Sequence, residues 1–323
     1  MARLVESVPN FSEGRRSDVV DRLAIAVTGT PGVHLLDRTS DASHNRTVLT
    51  MAGEAGPVTA ALEAAIEVAV EAIDMEVQRG EHPRIGAVDV VPFVPLGDTT
   101  MDDCVELARA FAARVADRFA IPVYLYARAA TRPDRTRLAD VRRGQYEGLR
   151  DEIASDPDRR PDFGPARTHP RAGAVAVGAR PFLIAYNINL ASTDLELAER
   201  IARVVRESSG GLPAVQASGF RLDDPDCAQV SMNLLDFEVT PLWRVWEAVK
   251  TEADAAEVEL AESELIGLAP LAAFAAVADH VGAPADAPIG DRLAAAARYL
   301  RLRDSSPLQA LELRLASAQA TEP

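Results

Sequence analysis

Five histidines, His34, His44, His82, His169 and His280, are the side chains of this 323-residue chain best suited to carrying a proton at neutral pH. His82 has the most ordered surroundings. It stands in Gly80-Glu81-His82-Pro83-Arg84-Ile85-Gly86, where proline stiffens the backbone and arginine supplies charge. The spacing places it on a loop after a helix that ends near Gly80 and before an apolar, β-rich run, Val88 to Val94. A histidine held there suits general acid–base work, with Glu81 and Asp89 as candidates to orient the ring. His44, in the polar turn Asp41-Ala42-Ser43-His44-Asn45-Arg46-Thr47, reads equally well as a turn residue or an anion-binding one. His34, beside Leu35 and Leu36, reads as packing, and His280 as a surface residue of a terminal helix.

Other chemistry finds little support. The sequence has no His-Glu-x-x-His, no Cys-x-x-Cys, no Gly-x-Ser-x-Gly elbow, no phosphate loop and no dinucleotide fingerprint. The two cysteines, Cys104 and Cys227, read as small buried apolar residues. With 34 basic against 49 acidic residues the formal charge is −15, which argues against nucleic acid and anionic membrane as partners. An anionic small substrate would need locally placed arginines. No apolar run reaches the roughly 18 residues that span a bilayer, and no signal-peptide h-region opens the chain, so a cytoplasmic protein is expected.

The elements that must position these residues follow a regular order. Leu4 to Val8 reads as a strand, and Val19, Val20, Leu23 and Val27 as one face of a helix. Val33 to Asp37 and Arg46 to Met51 read as strands. A helix with Val58, Leu62, Ile66, Ala69, Val70 and Ile73 on one stripe leads to Val88–Val94. A further helix, capped by Thr99 or Thr100 and buried through Cys104, Leu107, Ala108, Phe111 and Val115, precedes a strand at Ile121–Tyr126. Residues 127 to 180, rich in Arg, Asp, Pro and Gly, read as a long excursion with one short helical stretch around Leu138 to Ile153. The order then repeats. Phe182–Leu190 is a strand, and a helix capped at Ser192 or Thr193, with Thr193 and Glu196 as a capping box, follows it. Ala214–Phe220 and Ala228–Leu235 are strands, Thr240-Pro241 opens a helix, and Val258–Ala261 is a short last strand.

Strand-helix-strand-strand-helix-strand, once in each half, is the ferredoxin-like βαββαβ order. The expected fold is α+β, an α/β sandwich of two such subdomains in tandem. The expected boundaries are 1–180 including the excursion and 181–303, with a tail at 304–323 whose order the sequence leaves open. Strand alternation places Asn187 and Asn189 on one face of their strand and Gln229, Ser231 and Asn233 on one face of theirs. If the two strands are neighbours, the five side chains form one patch, either a solvated open face or a binding surface. The first half has a thinner version in Glu6, Asn10, Asn45 and Thr47. The excursion's arginines, 128, 132, 135, 137, 142 and 143, read as a solvated face or as a landing strip for a polyanionic tail.

A set of runs covers nearly the whole chain in order: Val8-Pro9-Asn10-Phe11-Ser12-Glu13-Gly14, Asn45-Arg46-Thr47, Gly80 to Arg84 with Gly86-Ala87 and Asp89, Pro122 to Tyr126, Pro161 to Pro165, Gly178-Ala179-Arg180, Phe182 to Leu190 and Asn233 to Phe237. Together they resemble the transferase domain of the formimidoyltransferase-cyclodeaminase family. The resemblance implies two α/β subdomains with folate bound between them, a homodimer, and transfer of a formimidoyl group from N-formimidoyl-L-glutamate to tetrahydrofolate in histidine degradation. Tetrahydrofolate would be the co-substrate, with no metal and no nucleotide. His82 takes the place of the family's catalytic histidine, and Phe163 to Ala172, with Phe163, Gly164 and Pro165, that of its folate-binding segment. The chain ends where that family's cyclodeaminase domain would begin, so a separate cyclodeaminase is implied downstream.

That chemistry suits the residues. N5 of tetrahydrofolate must lose a proton and the departing glutamate amine must gain one, and a single histidine can do both in turn. The carboxylates need cations or amides, for which Arg46, Arg84 and Arg180 are the candidates. Asn10, Asn187 and Asn189 suit the amide-like edges of a pterin, and Asn45 stands beside Arg46 in the turn. Rival readings are formyl transfer between 5-formyltetrahydrofolate and glutamate at the same site, a non-catalytic folate or amino-acid binding module, and a dimeric interaction protein using the arginine-rich excursion.

Overall fold

β-Branched runs that alternate in burial and helices with one apolar stripe assemble here into two sandwiches. The computed structural model describes residues 3–304 and 306–320. Contacts divide the chain into two units, Met1–Arg180 and Pro181–Pro323.

The first unit begins with β1 (Arg3–Ser7), β2 (Asn10–Phe11), α1 (Ser17–Thr28), β3 (Val33–Asp41), β4 (Arg46–Gly53), α2 (Ala55–Ala72) and β5 (Val88–Gly97). The broken first strand, β1 with β2, lies between β4 and β5 and is antiparallel to both; β3 pairs outside β4. That is the ferredoxin-like order, with first and third strands side by side in the middle. Then α3 (Met101–Phe119), β6 (Val123–Ala127), α4 (Leu138–Val141), α5 (Gln145–Glu152) and β7 (Val175–Ala179) extend it. β7 inserts between β5 and β6, parallel to both, completing a seven-stranded sheet among the described residues. Helices α1, α2 and α3 cover one face through Leu23, Val27, Leu62, Ile66, Phe111 and Val115.

In this unit three expectations need correction. The helix before His82 ends at Ala72, not near Gly80, because Ile73 leaves it in extended backbone, Asp74 opens a tight turn, and Ile73 and Met75 are both buried. The excursion is no simple connection. Its last run, Val175-Ala-Val-Gly-Ala, becomes a fully buried strand. Its helices α4 and α5 cover the second face of the sheet, where Ile85, Val90, Tyr124, Tyr126, Val141, Leu149 and Ile153 form a separate core. Nor is its arginine run a uniformly solvated face: Arg135 is buried against Asp162 at 2.5 Å, Arg142 pairs with Asp89, and Arg132 holds Asp134 and Asp158.

The second unit holds β8 (Ile184–Leu190), α6 (Leu195–Val205), β9 (Val215–Asp223), β10 (Asp226–Leu234), α7 (Leu242–Ala255) and β11 (Leu260–Ile266), in sheet order β11-β8-β10-β9. This is the ferredoxin-like arrangement again, without extension. The α6 cap is Asp194, whose carboxylate accepts from Leu197 N–H, rather than Ser192 or Thr193. Thr240 does not cap α7, and its hydroxyl donates instead to Pro213 O at 2.6 Å. Three further helices, α8 (Leu271–His280), α9 (Ile289–Tyr299) and α10 (Leu311–Ala320), follow. α10 falls within the segment read as a tail and buries Leu311 and Leu315; Ser305 and residues 321–323 of that segment lie outside the described residues.

Cys104 and Cys227 are free and buried, and burial pushes the Cys104 thiol up to about 12. Among the described residues no helix is long and apolar enough to cross a membrane.

Candidate active site

The loop that carries His82 is gripped from both sides. On one side stands the turn between β3 and β4. Gln78 donates to Asn45 O at 3.3 Å, Asn45 donates to Arg79 O at 2.8 Å, and Glu81 N–H donates to Ser43 O at 3.3 Å. The contact is close enough that a Cβ on Gly80 would lie 2.2 Å from His44 O. On the other side is the elbow between α4 and α5, where Tyr146 N–H donates to Arg84 O at 2.8 Å. From beneath, Ser12 donates through its hydroxyl to Gly86 O (2.7 Å) and through its N–H to Ala87 O (2.9 Å). Gly86 lies against β7's leading edge, where a Cβ would meet Ala174 O at 1.9 Å.

The segment Asn10 to Gly14 locks the same assembly. Glu13 accepts from Arg15 N–H, Arg16 N–H and the Arg16 guanidinium. Burial alone would raise that carboxyl, but these donors bring it below its ordinary value. Gly14 donates to Asn45 Oδ1 at 2.9 Å, and a Cβ there would strike the backbone of Asp41 and Arg46. The amide of Asn45, a predicted binding residue, is thus spent on framework: its oxygen holds Gly14 and its nitrogen holds Arg79, with the residue itself at φ +51°.

Arg84 is likewise engaged. It is buried, with Nε on Gln78 Oε1 (2.8 Å), Nη1 on Gln145 (3.1 Å), and Nη1 and Nη2 on the two oxygens of Glu147 (2.8 and 2.7 Å). The forked pair holds the Glu147 carboxyl down to about 2. Neither of the residues expected to orient the imidazole does so directly. Asp89, fully buried, accepts from Ile85 N–H at 2.8 Å and from the Arg142 guanidinium, so it fixes the loop rather than the ring.

His82 itself is 8% exposed, and among the described residues its ring makes no hydrogen bond. Burial, then the charges of Arg142, Arg46, His44 and Arg84, lower its pKa from the ordinary 6.5 to about 3. The imidazole is therefore neutral, in a cationic setting inside a strongly acidic chain. Arg142 is one of the excursion's arginines, and nothing in the sequence sets it beside His82. It caps α4, sixty positions from His82, and only the α4–α5 elbow brings it in. His44 contributes from the turn, with Nδ1 3.0 Å from Asp41 Oδ1.

The remaining predicted residues are distributed. Asn10 pairs with Val48 across the sheet, and Arg46 lies two positions from Val48, so both project from the face opposite α1, α2 and α3. Arg180 follows β7 and hydrogen-bonds the buried Tyr126 hydroxyl, which also feels the charge of Arg142. Phe163 bridges to Val123 at the start of edge strand β6, with Gly164 at φ +86° beside Ile121 O. Phe163 to Pro165 therefore stand beyond β7 and β6 from the His82 loop, and are not gathered with it.

Asn187 and Asn189 belong to the second unit. There β8 and β10 are neighbours as expected, with Asn189 opposite Gln229 and Asn187 opposite Ser231. Gln229 donates to Asn189 Oδ1 at 2.8 Å, Asn187 donates to Glu264 (3.1 Å) and Asn189 to Glu262 (3.3 Å). All three amides are more than nine-tenths buried, so this is no solvated face. Two glutamates from β11, absent from the patch that strand alternation in β8 and β10 predicts, complete it. Their alternation along Leu260–Ile266 was the available signal. Of the other histidines, His169 Nδ1 accepts from Ala172 N–H at 2.9 Å, and His280 stacks on Trp243 with centroids 4.1 Å apart.

Comparison with known proteins finds relatives over most of the chain. The chain is 45% identical over 280 residues to glutamate formimidoyltransferase of Streptococcus pyogenes serotype M1, covering 87% of this chain and 93% of that protein. It is 47% identical over 279 residues to glutamate formimidoyltransferase of Thermoplasma acidophilum, covering 86% and 91%. It is also 46% identical over 276 residues to formimidoyltransferase-cyclodeaminase of Gallus gallus, where the match covers 51% of that protein. Residues 4–180 match the formiminotransferase domain, N-terminal subdomain, and residues 185–287 match the formiminotransferase domain. With both parts matched in order on the two units, the chain belongs to the formiminotransferase family.

Proposed function

We propose that this chain is a glutamate formimidoyltransferase, moving the formimidoyl group from N-formimidoyl-L-glutamate to N5 of tetrahydrofolate. One observation carries the mechanism: a neutral, unengaged imidazole, His82, on a rigid loop set among arginines. N5 attacks the amidine carbon. As the carbon–N5 bond forms, His82 accepts the N5 proton, and as the bond to the glutamate nitrogen breaks it returns that proton to the leaving amine. Atoms and electrons balance with no other reactant. Arg46 and Arg180 would meet carboxylates; Asn10, Asn187 and Asn189 would meet polar edges of the folate; Phe163, Gly164 and Pro165 would form a further folate contact. Arg84 and Asn45, whose polar atoms are engaged elsewhere, would serve by position.

The same reading makes the protein a cytoplasmic homodimer of two subdomains, 1–180 and 181–303, whose product a cyclodeaminase consumes. The test is turnover of N-formimidoyl-L-glutamate with tetrahydrofolate, followed beside 5-formyltetrahydrofolate with glutamate. His82→Ala is expected to lose about 10²- to 10⁴-fold in kcat. Absence of turnover in the wild type, or near-normal turnover in His82→Ala, would overturn the reading. Faster reaction with the formyl donor would favour the rival transfer.

A further inference from the structure

Three arginines and His44 act on the His82 ring, and they differ in what they already hold. Arg84 has its fork closed on Glu147 and its remaining donors on Gln78 and Gln145. His44 lies against Asp41. Arg142 is different: Nη2 reaches Asp89, but its buried Nε has no partner. The Arg46 side chain, on strand β4, makes no hydrogen bond or ion pair among the described residues. These last two guanidiniums also act on one another, for burial first and then the Arg142 charge lower the Arg46 pKa, against Asp41 and Asp89.

Two partly buried cations with open donors, beside a neutral histidine, form a receptor for a planar anion. We propose that Arg142 is a substrate-binding residue of this site, forming with Arg46 the guanidinium pair that receives one carboxylate of the N-substituted glutamate beside His82. This rests on the function proposed above and deepens it. It also gives the substrate a second role. A carboxylate set between Arg46 and Arg142 offsets the two charges that, after burial, most oppose protonation of the ring, so the base strengthens when the group to be moved is in place. Arg84, His44, Asp41 and Asp89 remain in their pairs throughout.

The test measures binding by calorimetry on the full chain, with N-formyl-L-glutamate as an inert ligand. Two relatives each lack one carboxylate: 4-formamidobutanoate and N-formyl-L-2-aminobutanoate. Arg142→Gln is expected to weaken the diacid by about 10- to 100-fold, while one of the two monoacids binds wild type and variant alike. Because Arg142→Gln strands the Asp89 carboxylate, the double variant Arg142→Gln/Asp89→Asn is measured beside it, and the same ligand pattern is expected. The His82 ring, followed by NMR, should titrate at higher pH with the diacid bound in the wild type, and not in the variants. Equal losses for all three ligands, or none for the diacid, would overturn the role of Arg142. A wild type that binds none of the ligands would instead overturn the functional reading itself.

Discussion

His82 cannot hold a proton easily in the free protein, because a buried imidazolium would lose its hydration and face the charges of Arg142, Arg46 and Arg84. That has a consequence for stability. Between pH 6.5 and about 3 the unfolded chain binds a proton at this position that the folded chain refuses. Stability therefore rises with pH through that window and is lost as pH falls from 6.5 towards 3. His82→Gln removes this pH dependence. Urea unfolding at pH 7, 5.5 and 4.5 is expected to show the wild type losing more stability on acidification than His82→Gln; parallel loss would contradict a depressed histidine. At the same scale, residue type does not say where polar atoms are engaged: Asn45 holds the backbone of Gly14 and Arg79, and Arg84 holds Gln78, Gln145 and Glu147.

Among the elements, the decisive pieces are loops held by close backbone contact. Gly86 lies so near β7 that an added Cβ would sit 1.9 Å from Ala174 O and 2.6 Å from Ala172 O. Neither atom can step aside without moving a strand. Gly86→Ala is expected to destabilise by about 1–3 kcal/mol or more, seen as a lower denaturation midpoint. Gly56→Ala in α2, where nothing lies within 4 Å of the new Cβ, should be neutral or stabilising by about 0.4–1 kcal/mol. A similar loss in both would show that the backbone approach at Gly86 is not the cause. The run Asn10 to Gly14, the most recognisable part of the N-terminus, has the same office: it seats Asn45, Arg46 and the His82 loop against one another.

For the whole molecule, a charge of −15 surrounds a site proposed to take an anion. The repulsion acts over tens of ångströms at low salt, where the Debye length is about 30 Å at 0.01 M, but over only about 10 Å at 0.1 M. Short-range donors in the site are screened far less. The association rate of N-formyl-L-glutamate, measured by stopped flow, is accordingly expected to rise between 10 and 100 mM salt. A steady fall would mean that the local arginines dominate the approach as well as the capture.

The order of elements in both units was legible because amphipathic stripes and strand alternation are local properties, and residues within one turn or one strand suffice to reveal them. The same was true of the His82 loop, with its Gly, Pro and Arg. The strand Val175–Ala179 was not, since five small apolar residues carry no period of their own and become a strand only between β5 and β6. Nor could the sequence tell Arg142 from its neighbours in an arginine-rich run. Its place beside His82 depends on a pairing with Asp89 across 53 positions and on an elbow between two short helices. Local sequence singles out His82 as the best placed of the five histidines, the one proposed here to carry the proton. Only the tertiary structure decided which cations face it, because convergence of distant side chains is set by packing that no single segment contains.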